Sequence, residues 1–425
     1  MNEAFLHHLW KFRLFNIQNL CSTDGEEIEV LKTGLHNTDA GPDFFNAQLK
    51  IGDTIWAGNV EIHLKSSEWN KHRHTIDSAY NNVVLHVVYE HDEEVFTEKG
   101  SPLVTLELKG RFAPGIFQSY LELVESNRWI PCEDHILKVD DITISSWLER
   151  MTVERLEAKT MQIEEVQKQN KNNSEETFYH LLAKNFGFKT NALPFEMLAK
   201  SLPLAVLAKH QNQLFQIEAL LFGQAGLLEK KFNDDYPASL KKEYEFLRKK
   251  YGLTAMEGSQ WKFLRLRPSN FPTIRLAEFA QLIYKGSRLF SRVLEIEDIS
   301  QLQSLFSVSL SGYWENHYVF DKHSPQREKS LGESAIDTIL VNTVVPFLFA
   351  YGKHRNEDIY QERAMSFLVQ LPPETNSIIE RWNELGITSL NAGRTQALLQ
   401  LKNEYCNEKK CLICSVGNKI INSAK

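Results

Sequence analysis

Gly41-Pro-Asp-Phe44, then Gly58-Asn-Val-Glu-Ile-His-Leu-Lys65, then Trp69, His72, His74, Asp77 and Tyr80, and last the apolar run Val83-Val-Leu-His-Val-Val88 form the stretch that decides the fold. Its middle alternates. Side chains along a strand point to opposite faces, so Val60, Ile62 and Leu64 share one face while Glu61, His63 and Lys65 share the other. Upstream, Phe44–Ile51 alternates in the same way, with Phe45, Ala47, Leu49 and Ile51 set against Phe44, Asn46, Gln48 and Lys50. Gly52-Asp53 is the expected hairpin turn between these two strands. Residues 68–80 read as a helix or irregular helix, and Val83–Glu90, mostly apolar, as a central strand.

Working outward, Phe5, Leu6, Leu9 and Trp10 recur at helical spacing and give an amphipathic first helix over 3–15. Asp24-Gly25 marks a turn before a short strand at Ile28–Leu31, and Val104–Leu108 supplies one more. The order is helix, three strands, helix, strand, extra strand. Beyond about residue 140 the apolar period becomes helical and stays so, with Asn191, Pro194 and Pro203 at joints. The expected fold class is α+β: an α/β domain over 1–135 with a central mixed sheet, then a large all-α domain over 136–425.

Histidine is unevenly spread. Eight of the fourteen (His7, His8, His36, His63, His72, His74, His86 and His91) precede residue 92. Carboxylates in the same region, Asp43 at the start of one strand and Glu61 on its hairpin partner, can meet over one face of the sheet. Carboxylate oxygens hold hard cations such as Mg²⁺ or Mn²⁺, which polarise phosphates and activate water. Mixed imidazole and carboxylate donors suit Zn²⁺ or Mn²⁺ better. His72, His74, Asp77 and His86 support either reading, or form a structural hydrogen-bond network with Trp69 and Tyr80.

Pro42-Asp43 followed by Glu61-Ile62-His63, within that order of elements, resembles the PD-(D/E)XK nuclease superfamily over roughly residues 3–110. The resemblance implies a nuclease-like fold in which Asp43 and Glu61 bind the metal, with Glu3 on the first helix assisting. It implies a lysine two residues after the glutamate, where this chain has His63. Histidine titrates near about 6.5 and lysine near about 10.4, so His63 is suited to bind metal or accept a proton, and Lys65 is the alternative cation. Most of the chain also resembles an uncharacterised bacterial family, a domain of unknown function found mainly in Bacteroidetes.

A second feature is the segment Lys241–Arg275, where nine Lys/Arg against three Glu give +6 within a chain of net charge −7. Aromatics are interleaved, as in a groove that contacts phosphates and stacks bases. Arg265, Arg267 and Arg275 are the expected phosphate-binding set, the first two sharing a face if the segment is extended. A solvated helix face over core aromatics accounts for the same pattern.

Three of five cysteines fall at Cys406, Cys411 and Cys414. Thiolates so spaced bind Zn²⁺ or an iron–sulfur cluster, and Cys132 is the expected fourth ligand. Five cysteines and no secretory signal point to a reducing cytoplasm. Thr338–Gly352 is uncharged for fifteen residues but contains Asn342 and Pro346, so a buried helix is expected and no membrane span.

Three functions follow. The first is a metal-dependent phosphodiesterase acting on nucleic acid, with Asp43, Glu61 and His63 as ligands and His63 or Lys65 acting on water. The second is a non-catalytic nucleic-acid-binding or scaffold protein. The third is a zinc hydrolase of a small substrate.

Overall fold

The computed structural model describes residues 1–286 and 288–423. The chain is mixed α+β and divides into two compact units, residues 1–147 with 401–425, and residues 148–400.

In the first unit, helix α1 (Glu3–Phe12) is capped by the Asn2 side chain, which accepts from Phe5 N, and ends at Arg13 in the left-handed region. Strands β1 (Ile28–Lys32), β2 (Leu35–His36), β3 (Phe44–Ile51), β4 (Thr54–Lys65), β5 (Val83–Glu90) and β6 (Thr105–Glu107) form one sheet in the order β1-β3-β4-β5-β6, with β2 also on β3. The β1–β3 and β3–β4 pairs are antiparallel, while β4–β5 and β5–β6 are parallel. Between β4 and β5 lies helix α2 (Glu68–Lys71), followed by two 3-10 turns. Helix α3 (Pro114–Glu125) follows the sheet. Helix α1 packs against β4 and brings His7 Nε2 within 3.3 Å of Asp43 Oδ2.

Two local features set the site. The expected alternation of β3 is broken at Asn46, whose φ of 57° makes a bulge between the pairs Phe44–Val60 and Ala47–Gly58. The extra residue flips the parity, so Phe44 is buried with Ala47, Leu49 and Ile51 instead of opposite them. Second, Gly58 lets β4 lie against the start of β5. A Cβ there would stand 2.4 Å from Val84 Cγ1 and 2.8 Å from the Asn82 carbonyl.

The expected break after residue 135 differs from what is observed. Residues 136–147 and 401–425 belong with the sheet, because Lys402 Nζ donates to the Trp129 carbonyl (2.8 Å), Lys409 Nζ to the Val124 carbonyl (2.6 Å), and the His8 ring meets Asn422 Oδ1 (3.2 Å). The boundary falls inside helix α4 (Asp141–Gln169).

The unit 148–400 is mainly helical, with a core that includes Phe186, Phe195, Phe222, Phe279, Phe347 and Phe367. It is not all-α: Ser309–Leu310 pairs with Lys329–Ser330, and His317–Val319 with Lys322–His323. One helical run, Glu333–Arg355, is long and apolar enough to cross a membrane, and most of its apolar window is buried in the protein. It contains a π turn at Leu340–Val344 just before Pro346. Proline cannot donate to the carbonyl four residues back, and that carbonyl, Asn342 O, accepts instead from Asn185 Nδ2 at 3.1 Å.

Candidate metal centre

The two carboxylates meet as the hairpin reading expects, and each is fixed by the other's strand. Asp43 Oδ2 accepts from Ile62 N at 2.8 Å, and Asp43 N donates to Glu61 Oε2 at 3.2 Å. The loop before Asp43 is held by Asn37 Nδ2, which donates to the carbonyls of Asp39 and Pro42. Asp43 is partly exposed and Glu61 is buried.

Glu61 is then ringed by imidazoles. His63 Nε2 lies 3.6 Å and His74 Nε2 3.4 Å from Glu61 Oε1. His63 Nε2 stands 3.1 Å from His72 Nδ1. One ligand atom from each of His63, His72 and His74 lies within 4.8 Å of the others. Donors bonded at about 2.1 Å to one ion stand roughly 3.0–3.4 Å apart in octahedral or tetrahedral geometry; the 3.1 and 3.4 Å separations fall in that range and the 3.6 Å one lies just beyond it. His63 and His74 are buried, while His72 opens to solvent.

A hydrogen-bonded network explains part of this arrangement but not all of it. His74 Nε2 is buried and makes no hydrogen bond despite its approach to Glu61. His7 Nε2, 3.3 Å from Asp43 Oδ2, is in the same position. Buried ring nitrogens without partners, aimed at carboxylate oxygens, fit the donor side of a cation site.

The electrostatics point the same way. Burial, the neighbouring Asp43 and then Glu3 push Glu61 up to about 9. Burial together with His74 and His72 pushes His63 down to about 3. Burial and the charge on Glu68 and Asp43 raise Glu3. Acids crowded together and held from water resist ionisation, and a divalent cation among them reverses that.

The surrounding shell orients these groups. His63 Nδ1 meets His86 Nε2 at 2.9 Å, and His86 is fully buried on β5, directly across from Glu61 in the parallel register. His74 stacks between the rings of Tyr80 (3.8 Å) and His63 (5.3 Å), with Trp69 edge-on at 5.3 Å. Trp69 Nε1 is held by Thr75 Oγ1.

Several expected residues sit elsewhere. Lys65 is at the exposed end of β4 and pairs with Glu90 and Asp92 at 4.0 and 3.9 Å, so it is drawn away from Glu61. Asp77 does not share a helix face with His74. The segment breaks at Arg73, in the left-handed region, and Asp77 caps the Ser78–Tyr80 turn by accepting from Ala79 N. His7 was not singled out in the sequence, although its position four residues after Glu3 puts both on one face of α1.

The basic segment is used differently. Tyr244 and Trp261 are core residues, Trp261 Nε1 donating to the Ala225 carbonyl. Arg275 is tied through its two terminal nitrogens to Glu278 (2.8 Å) and Asn270 (2.7 Å) and lies 4.6 Å over the Phe188 ring, while its Nε is buried without a hydrogen-bond partner. Arg265 and Arg267 are exposed, but Arg265 has φ 62°, which breaks the extended run they were expected to share.

Cys132, Cys406, Cys411 and Cys414 are all buried in the first unit, and Cys21 is partly exposed. A family model described as a protein of unknown function (DUF2851) matches residues 3–377. No curated protein and no solved structure matches the chain.

Proposed function

The chain belongs to the DUF2851 family, and for it we propose a metal-dependent phosphodiesterase acting on nucleic acid, with its centre at Asp43, Glu61, His63, His72 and His74. The observation that carries this reading is that Glu61 Oε1 lies 3.6 Å from His63 Nε2 and 3.4 Å from His74 Nε2, which makes no hydrogen bond, while His72 Nδ1 stands 3.1 Å from His63 Nε2. The order helix–strand–strand–strand–helix–strand, with the carboxylates on adjacent strands, supports assignment to phosphodiester chemistry by its likeness to the nuclease superfamily.

A nitrogen-rich donor set favours Mn²⁺ or Zn²⁺ over Mg²⁺. Such an ion would polarise the scissile phosphate and lower the pKa of the attacking water. The chain's own part is positional. Asp43 and Glu61 hold each other through backbone N–H groups. His86 fixes the ring of His63, which stays neutral and presents a lone pair. His72 and the exposed edge of Asp43 face the side from which substrate arrives. With Lys65 paired elsewhere, no lysine takes part.

The second reading, a zinc hydrolase of a small substrate, is favoured by the three-imidazole set alone. A scaffold without catalysis is the third. The test is cleavage of single- and double-stranded oligonucleotides by chelator-treated full-length protein given Mn²⁺ or Zn²⁺. The proposal expects metal-dependent cleavage that Asp43→Ala abolishes while oligonucleotide affinity persists. Affinity without cleavage in both proteins would favour the scaffold. Absence of salt-dependent oligonucleotide binding would favour the small-substrate hydrolase.

A further inference from the structure

The helical unit holds a cavity of about 570 Å³ that takes no part in the chemistry proposed for the sheet unit. Its volume is that of a small-ligand pocket and exceeds what a bare ion needs. Three helices begin at its wall: Phe188–Ser201, Pro272–Lys285 and the run Glu333–Arg355. None of the three starts is capped by a side chain. The first N–H groups of a helix have no partner within it, and the aligned peptide dipoles give that end a positive potential. Three such ends around one cavity reinforce one another.

The side chains carry the same sign. Lys189 and Arg275 line the cavity, and among the described residues that line it there is no aspartate or glutamate, in a chain of net charge −7. Lys189 is exposed, and no carboxylate pairs with it among the described residues. Glu278 and Asn270 take the terminal nitrogens of Arg275, yet its Nε is buried with no hydrogen-bond partner. Buried N–H groups are nearly always paired, so a leftover donor in the wall of a cavity is an exception that an anionic ligand would remove. The hydroxyl residues Thr190, Ser269 and Ser334 complete the polar lining.

This wall is braced without a ligand. The Arg275 guanidinium lies 4.6 Å over the Phe188 ring. Asn191 Nδ2 donates to the Lys262 carbonyl at 3.0 Å, and its Oδ1 accepts from Lys262 N at 2.9 Å. Phe188 is held at φ 47°, a costly conformation for a bulky residue. A surface fixed in this way loses little freedom when it binds. Phe188 and Leu266 give the cavity an apolar side as well as a cationic one.

We infer that this cavity binds a phosphomonoester of a small organic molecule. The phosphate lies at the helix starts beside Lys189, as anions do at helix N-termini, and the organic part lies along Phe188 and Leu266. The site owes nothing to the metal centre.

The test is calorimetric titration and thermal unfolding of chelator-treated full-length protein in phosphate-free buffer, with inorganic phosphate, adenosine monophosphate and adenosine as probes. Inorganic phosphate should raise the unfolding temperature, adenosine monophosphate should raise it further and bind at about one per chain, and adenosine should do neither. Lys189→Ala should weaken binding by about 10-fold. Ser334→Asp places a carboxylate in the first turn of its helix, which suits the helix, so this variant should fold as well as the wild type and lose the phosphate response. Glu61→Gln should bind as the wild type does, which separates this site from the metal centre. No response of the wild type to either phosphate compound would overturn the proposal. So would adenosine acting as strongly as its monophosphate, or Ser334→Asp binding undiminished. Displacement of adenosine monophosphate by an oligonucleotide without a terminal phosphate would assign the cavity to a nucleic-acid backbone instead.

Discussion

The sheet unit and the helical unit each hold a cluster of charge, and they settle it in opposite ways. In the helical unit, Arg275 has its answering carboxylate beside it. Glu278, pushed up to about 7 by burial even so, accepts its guanidinium, and Asn270 takes a second N–H. The remaining lysines and arginines of helix Asp235–Tyr251 face water for the most part, over a core that holds Tyr244 and Leu247. In the sheet unit, Glu61, Glu3 and Asp43 are brought together with no lysine or arginine among the groups that shift Glu61, and the buried His63 beside them is kept neutral. Charge that is satisfied internally serves the fold. Charge gathered and left without a counterpart is where a ligand belongs.

Variants can break or sharpen this contrast. The largest effect expected after loss of the centre itself is at Arg275. Arg275→Ala leaves Glu278 buried without its partner and should destabilise the protein by about 3 kcal/mol, measured by urea unfolding. Nucleic-acid affinity should change no more than that stability loss explains. A loss of affinity at unchanged stability would return Arg275 to the phosphate-binding set.

Next is His86, which touches no solvent and acts through His63 Nδ1. His86→Phe should weaken metal binding by about 10- to 100-fold, read by Mn²⁺ titration, while His91→Phe leaves it unchanged. An equal loss in both variants would mean general damage to the sheet and not the orientation of one ring.

Smaller, and specific to the metal-free protein, is a pH effect. The folded pKa of Glu61 is raised from 4.5 to about 9, so between those values the folded state holds a proton that the unfolded chain has lost, and stability falls as pH rises. His63, lowered from 6.5 to about 3, acts oppositely, adding stability as pH rises through that lower window. Above 6.5 only the Glu61 effect remains of the two. Chelator-treated protein should therefore lose thermal stability from pH 6.5 to 9, and Glu61→Gln should flatten that slope. Smallest of all, Arg265→Ala and Arg267→Ala should shift stability by no more than about 0.5 kcal/mol.

Much of the sheet was legible in the sequence because period two is a strong signal. The expected limits of β3 and β4, 44–51 and 54–65, coincide with the observed strands, and Glu61 and His63 lie on the face that alternation assigns them. The bulge at Asn46 was not legible, since a positive φ at one asparagine leaves no pattern. The meeting of His72 with His74, ring centroids 5.5 Å apart, was hidden for a similar reason: it depends on the turn at Arg73, and a regular helix would have set these rings apart. His7 could have been found from its spacing to Glu3. The membership of 401–425 in the first unit had one trace in the sequence, the expectation that Cys132 serves with the three late cysteines. The basic segment misled in part because composition counts charges without showing which are already paired.

The central claim is that the sheet unit's acids and imidazoles form one cation site. The most direct measurement is calorimetric titration of Mn²⁺ into chelator-treated full-length protein, beside Glu61→Gln and His74→Ala. Saturable binding at about one ion per chain, lost in Glu61→Gln and weakened in His74→Ala, is the predicted result. Binding that is absent from the wild type, or equal in all three proteins, would contradict it.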